Sequence, residues 1–364
     1  MSQSGKIVVA MSGGVDSSVA AGLLKKEGMQ VEGVILRMHD AGMSQEDIIN
    51  GKLSQSIRDA REVARKLKIG FSIEDCRREF KEEVISYFVN SYKECLTPNP
   101  CAFCNSHVKI KKIIELADKM GAEKIASGHY ASVEYDTDRK RYVIKKGIDK
   151  NKDQSYMLCD LSQEQLSRLV LPLGGYTKPQ IRKLAEDFAF RNANAAESQD
   201  ICFLPEGNYG AFIEEYLKND ASAKEAVKPG NFIDSEGNIL GQHKGLIYYT
   251  IGQRKGLGLS LSEPMYVCRK DKESNSVVLC RDEELYSHVV RAAQINLVGT
   301  DDIPESGLEI SAKIRYSQDE TRGIVRMKGD IMEVEFKEAV RAAAPGQKLV
   351  LYDGDVLLAG GTII

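Results

Sequence analysis

The chain has 364 residues, of which 42% are hydrophobic and 28% charged, with a formal net charge of −3. That composition suits an ordinary globular protein with room for two or three domains of about 100–200 residues each. No apolar run nears the ~20 residues that cross a bilayer, the scattered cysteines do not form a disulfide scaffold, and the charge offers no global attraction to nucleic acid, so such binding must rest on local patches.

Met1 to Lys6 has no signal-peptide core, so a cytoplasmic location with no membrane partner is expected. Ile7 to Met11 reads as a buried strand, and Val19 to Leu24 as the start of a helix. Between them lies Ser12-Gly13-Gly14-Val15-Asp16-Ser17-Ser18. A glycine- and serine-rich turn from strand to helix presents unpaired backbone N–H groups at the positive end of a helix dipole, where phosphate binds. Neither the lysine-containing phosphate loop nor the dinucleotide G-x-G-x-x-G fingerprint occurs here, so the cradle lacks the usual lysine. A plain turn is the alternative, but it rarely needs two glycines, an aspartate and three serines together.

Val31 to Leu36 reads as a strand, Ile57, Ala60, Ala64 and Leu67 share a helical face, and Phe71 to Glu74 is a short strand. Thr97-Pro98-Asn99-Pro100-Cys101-Ala102-Phe103-Cys104-Asn105 reads as a stiff loop, with a helix beginning near Ser106. A thiol at such a helix start would have its pKa lowered below about 8.5. Half a zinc site and a redox pair both remain open for C-x-x-C, although no second C-x-x-C or H-x₃-H exists, and no protein-held structural metal is expected. Val108 to Met120 is helical, and Lys124 to His129 is a strand ending in glycine. This alternation predicts an α/β, doubly wound parallel sheet with ligands at the carboxyl ends of its strands.

Arg139-Lys140-Arg141, Lys145, Lys146, Lys150 and Lys152 form a basic stretch, readable as a solvated hairpin face or a phosphate-contacting surface. Ser198-Gln199-Asp200-Ile201-Cys202-Phe203 closes the first region, and Cys202 taken alone would be a structural thiol. Pro205-Glu206-Gly207 marks a break, followed by a helix over Tyr209 to Leu217. Gly230 to Asp234 and Gly245 to Thr250 read as strands of a small, mostly β central domain. Beyond it, Ser311–Arg315, Thr321–Met327, Ile331–Phe336, Lys348–Tyr352 and Val356–Ala359 suggest a C-terminal β-barrel. The expected partition is 1–205, 206–282 and 283–364.

The loop pattern S-G-G-x-D-S resembles that of the ATP pyrophosphatase superfamily. Together with N-P-x-x-x-C-N, S-x-x-I-C-F, Asp149 to Tyr156, Gly252 to Gly258, Arg315-Tyr316 and Pro345-Gly346-Gln347, it makes the whole chain similar to the tRNA-specific 2-thiouridylases. The resemblance implies ATP with Mg²⁺, a tRNA anticodon arm as substrate, adenylation of the wobble uridine's C2 oxygen, and its replacement by sulfur. The tRNAs implied are those for lysine, glutamate and glutamine. Ala10, Met11, Ser12, Gly13, Gly14, Val15, Asp16, Ser17, Leu36 and Gly128 match ATP-binding positions. Cys202 matches the persulfide carrier and Cys104 the second catalytic cysteine, both expected on loops. Asn99, Pro100 and Cys101 match the segment touching the target base, and His129, Lys152, Asp153, Gln154, Arg315, Tyr316 and Gln347 match tRNA contacts. A sulfur donor (a cysteine desulfurase or a relay protein) and a reductant for a Cys104–Cys202 disulfide are the implied partners.

Two departures stand out. Many members carry aspartate where this chain has Cys101, and His39 to Ser56 matches poorly. Two rival readings exist: an amide- or amidine-forming ATP pyrophosphatase, which needs neither cysteine, and a non-catalytic RNA-binding protein with an ATP-sensing loop.

Overall fold

The structure, a computed structural model, describes residues 5–40, 43, 47, 51–194, 201–204, 208–218 and 227–364. Met1 to Ser4, Ser198 to Asp200, Pro205 to Gly207 and part of the 39–56 segment lie outside the described residues.

β1 (Lys6–Ala10) is the centre of a five-stranded sheet, ordered β3-β2-β1-β4-β7. Its partners are β2 (Gln30–Arg37), β3 (Gly70–Asp75), β4 (Lys124–Ala126) and β7 (Leu169–Val170), and every pairing is parallel. Strand alternation sends Ile7 and Val9 to one face and Val8 to the other. The first face packs on α1 (Val15–Lys26), α2 (Gln55–Leu67) and α6 (Lys178–Asp187) through residues such as Val19, Ala60 and Ile181. The second packs on α4 (100–119) through Ile110, Ile113 and Leu116. Both faces are covered, as a parallel sheet requires. The chain leaves β1 toward β2 on one side, and β4 pairs on the other, so the carboxyl ends of β1 and β4 flank the switch point where ligands bind in such sheets.

Two helical stretches carry a π-turn: α3 (77–93) at Lys81–Ile85 and α4 at Asn105–Lys109. α5 (Gln163–Arg168) and α7 (Tyr209–Leu217) complete the helices used below. The helix over α7 is where the residue pattern predicts it. Gly245 to Thr250 is different: Leu246–Tyr248 is a 3₁₀ turn, not a strand. Leu246 and Tyr249 face the central domain's core while Ile247 faces the helical core around Phe88, a spacing of three that a strand's period of two cannot supply.

The central sheet is ordered β10-β11-β8-β9, from β8 (Gly230–Ile233), β9 (Ile239–His243), β10 (Tyr266–Asp271) and β11 (Ser276–Cys280). The barrel runs β12 (Tyr286–Leu297), β15 (Ile331–Arg341), β14 (Thr321–Lys328), β13 (Leu308–Lys313), β16 (Lys348–Asp353) and β17 (Val356–Ile363), and β12 pairs with β17 to close it. The hairpin β5 (Ala131–Asp136) and β6 (Arg141–Lys146), from the first region, pairs onto β17. Ile144 therefore shares a core with Val350, Tyr352 and Leu357 of the barrel.

Candidate active site

Ser12 to Gly14 leaves β1, and α1 starts at Val15, so Asp16, Ser17 and Ser18 stand in the helix's first turn rather than before it. The Ser17 hydroxyl accepts from the Ser12 N–H at 3.0 Å, and the Ser18 hydroxyl donates to the Gly14 carbonyl at 2.8 Å. Gly13 has φ +79, and a Cβ there would lie 2.2 Å from the Ser56 carbonyl oxygen, so glycine is required on both counts. Asn192 donates from Nδ2 to the Gly13 carbonyl (2.8 Å) and to the Ser18 hydroxyl (3.0 Å), while its buried Oδ1 finds no partner among the described residues.

Gly128 follows β4. A Cβ at Gly128 would come within 2.7 Å of the Ser17 nitrogen, so the glycine lets this chain lie against the first turn of α1. Leu36 is near the end of β2, half-buried against the core beneath the sheet. Ala10 to Ser17, Leu36 and Gly128 are thus gathered along the carboxyl edge of neighbouring parallel strands.

The cation absent from the loop comes from α6. Lys178, buried at the start of that helix, lies 2.8 and 2.9 Å from the two Asp16 carboxylate oxygens, and the Tyr130 hydroxyl donates to Oδ1 at 2.6 Å. Lys178, Tyr130 and Asn192 are residues that sequence reasoning missed. The one local signal there is the capping pattern Thr177-Lys178-Pro179-Gln180, which marks a helix start and nothing of its partner Asp16.

The C-x-x-C segment is helical, which corrects the expected loop. Asn99 is an N-cap whose Oδ1 accepts from the Ala102 N–H at 3.0 Å, and Pro100 occupies the first helical position, where its missing N–H costs nothing. Cys104 therefore sits in the second turn, buried, and the π-turn begins at the next residue. Cys202 is exposed, next to Phe203, whose ring meets Phe80 at 5.6 Å and Phe88 at 5.4 Å. Cys104 packs in the same core as Ile201 and Phe203, the residues flanking Cys202.

The expected lowering of the thiol pKa does not hold. Burial raises Cys101 and Cys104, and the protein crowding Cys202 pushes it up to about 12 even though its surface is open. Removal from water shifts a group by up to 3–5 units, against 0.3–1 kcal/mol from a helix end, so burial wins. Lys109 opposes the rise at all three sulfurs. The cysteines are free thiols here.

The tRNA-contact candidates are spread over several elements. His129 is half-buried, with Nδ1 2.8 Å from the Ser127 hydroxyl; burial first and the Lys109 charge second hold it near pKa 3. Asp153 accepts from the N–H groups of Gly147 and Ser155, and the Gln154 Oε1 accepts from the Tyr130 N–H. Lys152 donates its N–H to the Asp149 carbonyl. Arg315 reaches the Ala342 carbonyl, and Tyr316 meets the Tyr156 ring at 6.1 Å. Gln347 donates to the carbonyls of Thr97 and Pro98 at 3.1 and 3.3 Å, tying the barrel to the loop that leads into Asn99.

Much of the basic stretch is already engaged. Arg139 pairs with Asp353 at 2.6 Å, Lys145 with Glu134, and Lys146 with Glu320 at 2.6 Å; Arg141 donates to the Leu297 carbonyl. Three of these four contacts hold the hairpin to the barrel, and Lys140 and Lys150 remain exposed. Among the described residues no three His, Cys, Asp or Glu side chains gather as a metal site.

Residues 5–206 match the family described as the tRNA methyl transferase HUP domain, 212–281 the tRNA methyl transferase PRC-barrel domain, and 287–363 the aminomethyltransferase β-barrel domain. The chain is 44% identical over 366 residues, 100% of its own length and 99% of the relative's, to tRNA-specific 2-thiouridylase MnmA 1 of Caldanaerobacter subterraneus subsp. tengcongensis. It is 41% identical over 361 residues, 98% and 99% of the two lengths, to tRNA-specific 2-thiouridylase MnmA of Acetivibrio thermocellus. A solved 4-thiouridine synthetase–RNA complex with bound ATP is a distant likeness, 18% identical with a TM-score of 0.34 over 58% of this chain and 50% of that one.

Proposed function

The chain belongs to the tRNA-specific 2-thiouridylase family, and from that premise we propose that it uses ATP to exchange the C2 oxygen of a tRNA wobble uridine for sulfur. The tRNAs are those for lysine, glutamate and glutamine. The observation that carries the reading is that Cys104 shares a core with Ile201 and Phe203, the residues flanking Cys202, although the two segments lie about 100 residues apart in sequence. An amide-forming pyrophosphatase would have no use for them, and methyl transfer finds no favouring observation.

In this reading the 10–17 loop cradles the triphosphate, Leu36 and Gly128 border the nucleotide, and Lys178 supplies positive charge for the departing pyrophosphate. Asp16, the loop's own carboxylate, would be the side chain to hold the magnesium that accompanies ATP, and the ion would offset charge on the phosphates. The C2 oxygen attacks the α-phosphorus and pyrophosphate leaves, which turns a poor leaving group into AMP.

Cys202 carries a sulfane sulfur as a persulfide. The Cys104 thiolate attacks the Cys202 sulfur, forming a Cys104–Cys202 disulfide and releasing HS⁻. The two thiol sulfurs are oxidised and the sulfane sulfur is reduced, so the electrons balance. HS⁻ adds at C2, AMP departs with the oxygen, and one proton is lost. A dithiol reductant then restores the cysteines, and a cysteine desulfurase or relay protein reloads Cys202. Asn99, Pro100 and Cys101 line the unstacked base, since a base must leave its stack to be reached. His129, Lys152, Asp153, Gln154, Arg315, Tyr316 and Gln347 form the tRNA face. We assign the pyrophosphatase region to 1–205, the central domain to 206–282 and the barrel to 283–364, in the cytoplasm.

The test is nucleoside mass spectrometry on tRNA incubated with the protein, ATP, Mg²⁺, a persulfide donor and a dithiol. 2-Thiouridine at the wobble position is expected. Cys104→Ser and Cys202→Ser should each abolish it while leaving tRNA-stimulated pyrophosphate release. Thiolation that survives both substitutions would defeat the reading.

A further inference from the structure

The barrel reaches the start of α4 through the turn Pro345-Gly346-Gln347, which leads into β16. Its shape is fixed from behind. The Gly346 N–H donates to the Ile363 carbonyl and the Ile363 N–H to the Gln347 carbonyl, both at 2.8 Å. In front of it runs the strap 95–98, which joins α3 to α4. The Thr97 N–H donates to the Pro345 carbonyl at 2.7 Å, and the Gln347 Nε2 donates to the Thr97 and Pro98 carbonyls at 3.1 and 3.3 Å. Gly346 has φ +94, and a Cβ there would lie 2.9 Å from both the Thr97 nitrogen and the Leu96 Cβ, so glycine lets the two chains touch. The next barrel residue braces the other side. Buried Lys348 pairs with Asp160 at 2.8 Å, and its carbonyl accepts from the Tyr156 hydroxyl at 2.8 Å. Met157, beside Tyr156, accepts from the Asn99 Nδ2 on its sulfur at 3.7 Å and from the Asn105 Nδ2 on its carbonyl at 3.0 Å. The barrel turn, the strap and the 156–160 segment thus close a ring of contacts that includes Asn99, the N-cap of α4.

We propose that Gln347 is a positioning residue: its carboxamide sets the strap, and through the strap the place of Asn99, Pro100 and Cys101 against the target base. The role rests on the reading above of 99–101 as the base-lining segment. The Thr97 and Pro98 carbonyls lie before the N-cap and take no part in the helix ladder, so they need a donor from elsewhere. A primary amide offers two hydrogens from one planar group, and here both go to the strap. Any contact of this side chain with RNA therefore falls to its Oε1. Pro98 and Pro100 fix their own φ and restrict Thr97 and Asn99 before them. Such a strap is stiff, and a displacement at Thr97 passes on to Asn99 instead of being absorbed. The barrel does not need this contact to stay attached, because Tyr352 and Leu357 already lie in a core shared with the first region. What the amide adds is alignment.

Two variants of the full-length protein separate alignment from RNA contact. Gln347→Met keeps the length of the side chain and removes both donors, whereas Gln347→Lys keeps donors and removes Oε1. In Gln347→Met the kcat for tRNA thiolation should fall by about tenfold or more, the scale of loss that small misplacements cause. The Kd for tRNA should stay within about twofold, since phosphate contacts elsewhere dominate affinity. Gln347→Lys should recover most of kcat. Amide hydrogen exchange, read without ATP or tRNA, should speed up over 96–104 in Gln347→Met and less so in Gln347→Lys, with 331–341 unchanged. Asp353→Ala, which cuts the barrel's ion pair with Arg139, should alter neither kcat nor exchange over 96–104. Unchanged exchange over 96–104 in Gln347→Met overturns the inference, as does a normal kcat. So does a loss confined to the tRNA Kd, which would make Gln347 an RNA contact alone. Faster exchange over 96–104 in a protein whose unsubstituted form makes no 2-thiouridine would fault the thiolation reading and leave the strap's dependence on Gln347 standing.

Discussion

At the residue scale, the phosphate loop's charge balance is set by Lys178 and Asp16. The pair is only partly buried, so its net worth to stability is about 1 kcal/mol or less. In the proposed reaction its worth is larger, because the ammonium would stand beside the phosphates where negative charge develops. Lys178→Met keeps the aliphatic stem and removes the charge. Pyrophosphate release should fall by about 10²–10³, the loss seen when one preorganised donor is removed, with the melting temperature shifted by only a few degrees. Release at the normal rate would put Lys178 outside the reaction.

His129 makes a second prediction at this scale. Its pKa falls from the usual 6.5 to about 3, so the unfolded chain takes up the proton first. The stability it contributes is complete above pH 6.5 and drains as pH falls toward 3. Discounted for its partly exposed ring, the loss from pH 7 to pH 5 should be about 1 kcal/mol. Urea unfolding at both pH values should show a smaller loss in His129→Gln, and equal losses would refute the assignment. A neutral imidazole also means that any contact with tRNA here works by hydrogen bonding, not by charge.

At the element scale, α4 shows both what local sequence carries and where it misleads. Asn99-Pro100 is an N-cap followed by a first-turn proline, a helix signal written in plain residues, yet two prolines with cysteines between them also read as a stiff loop. The π-turn left no such signal. It lies where the helix passes from the Phe88–Phe203 core, met by Cys104 and Val108, to the Tyr156–Tyr352 core, met by Ile110 and Ile113. Deleting the exposed His107 should convert the π-turn to an α-turn and shift Cys104 relative to Ile110. We expect thiolation to be lost and pyrophosphate release to stay within a few-fold of normal, with helix content by circular dichroism unchanged. Thiolation that persists would show the turn to be incidental.

At the scale of the whole molecule, the barrel is not a detachable appendage. Val350, Tyr352 and Leu357 bury themselves in a core that also holds Ile144, Tyr156 and Leu158, and β17 caps the β6 edge. Each such side chain contributes about 1.5–3 kcal/mol by burial. A chain ending at residue 283 should therefore lose cooperative melting in calorimetry, or melt at least 10 °C lower. Melting like the full chain would contradict the shared core.

The residues alone determined the glycine- and serine-rich phosphate turn, the alternation that demands a parallel sheet and the two cysteine segments. Those are signals of near neighbours: periodicity, caps and turns act over a few positions. What only the tertiary structure decided is which distant groups meet. Lys178 reaches Asp16 across 162 positions and Gln347 reaches Thr97 across 250. The same holds for sulfurs whose ionisation burial governs more than helix position. Contacts of that range follow from strand order and core packing, and burial is a property of the folded chain rather than of any stretch of it.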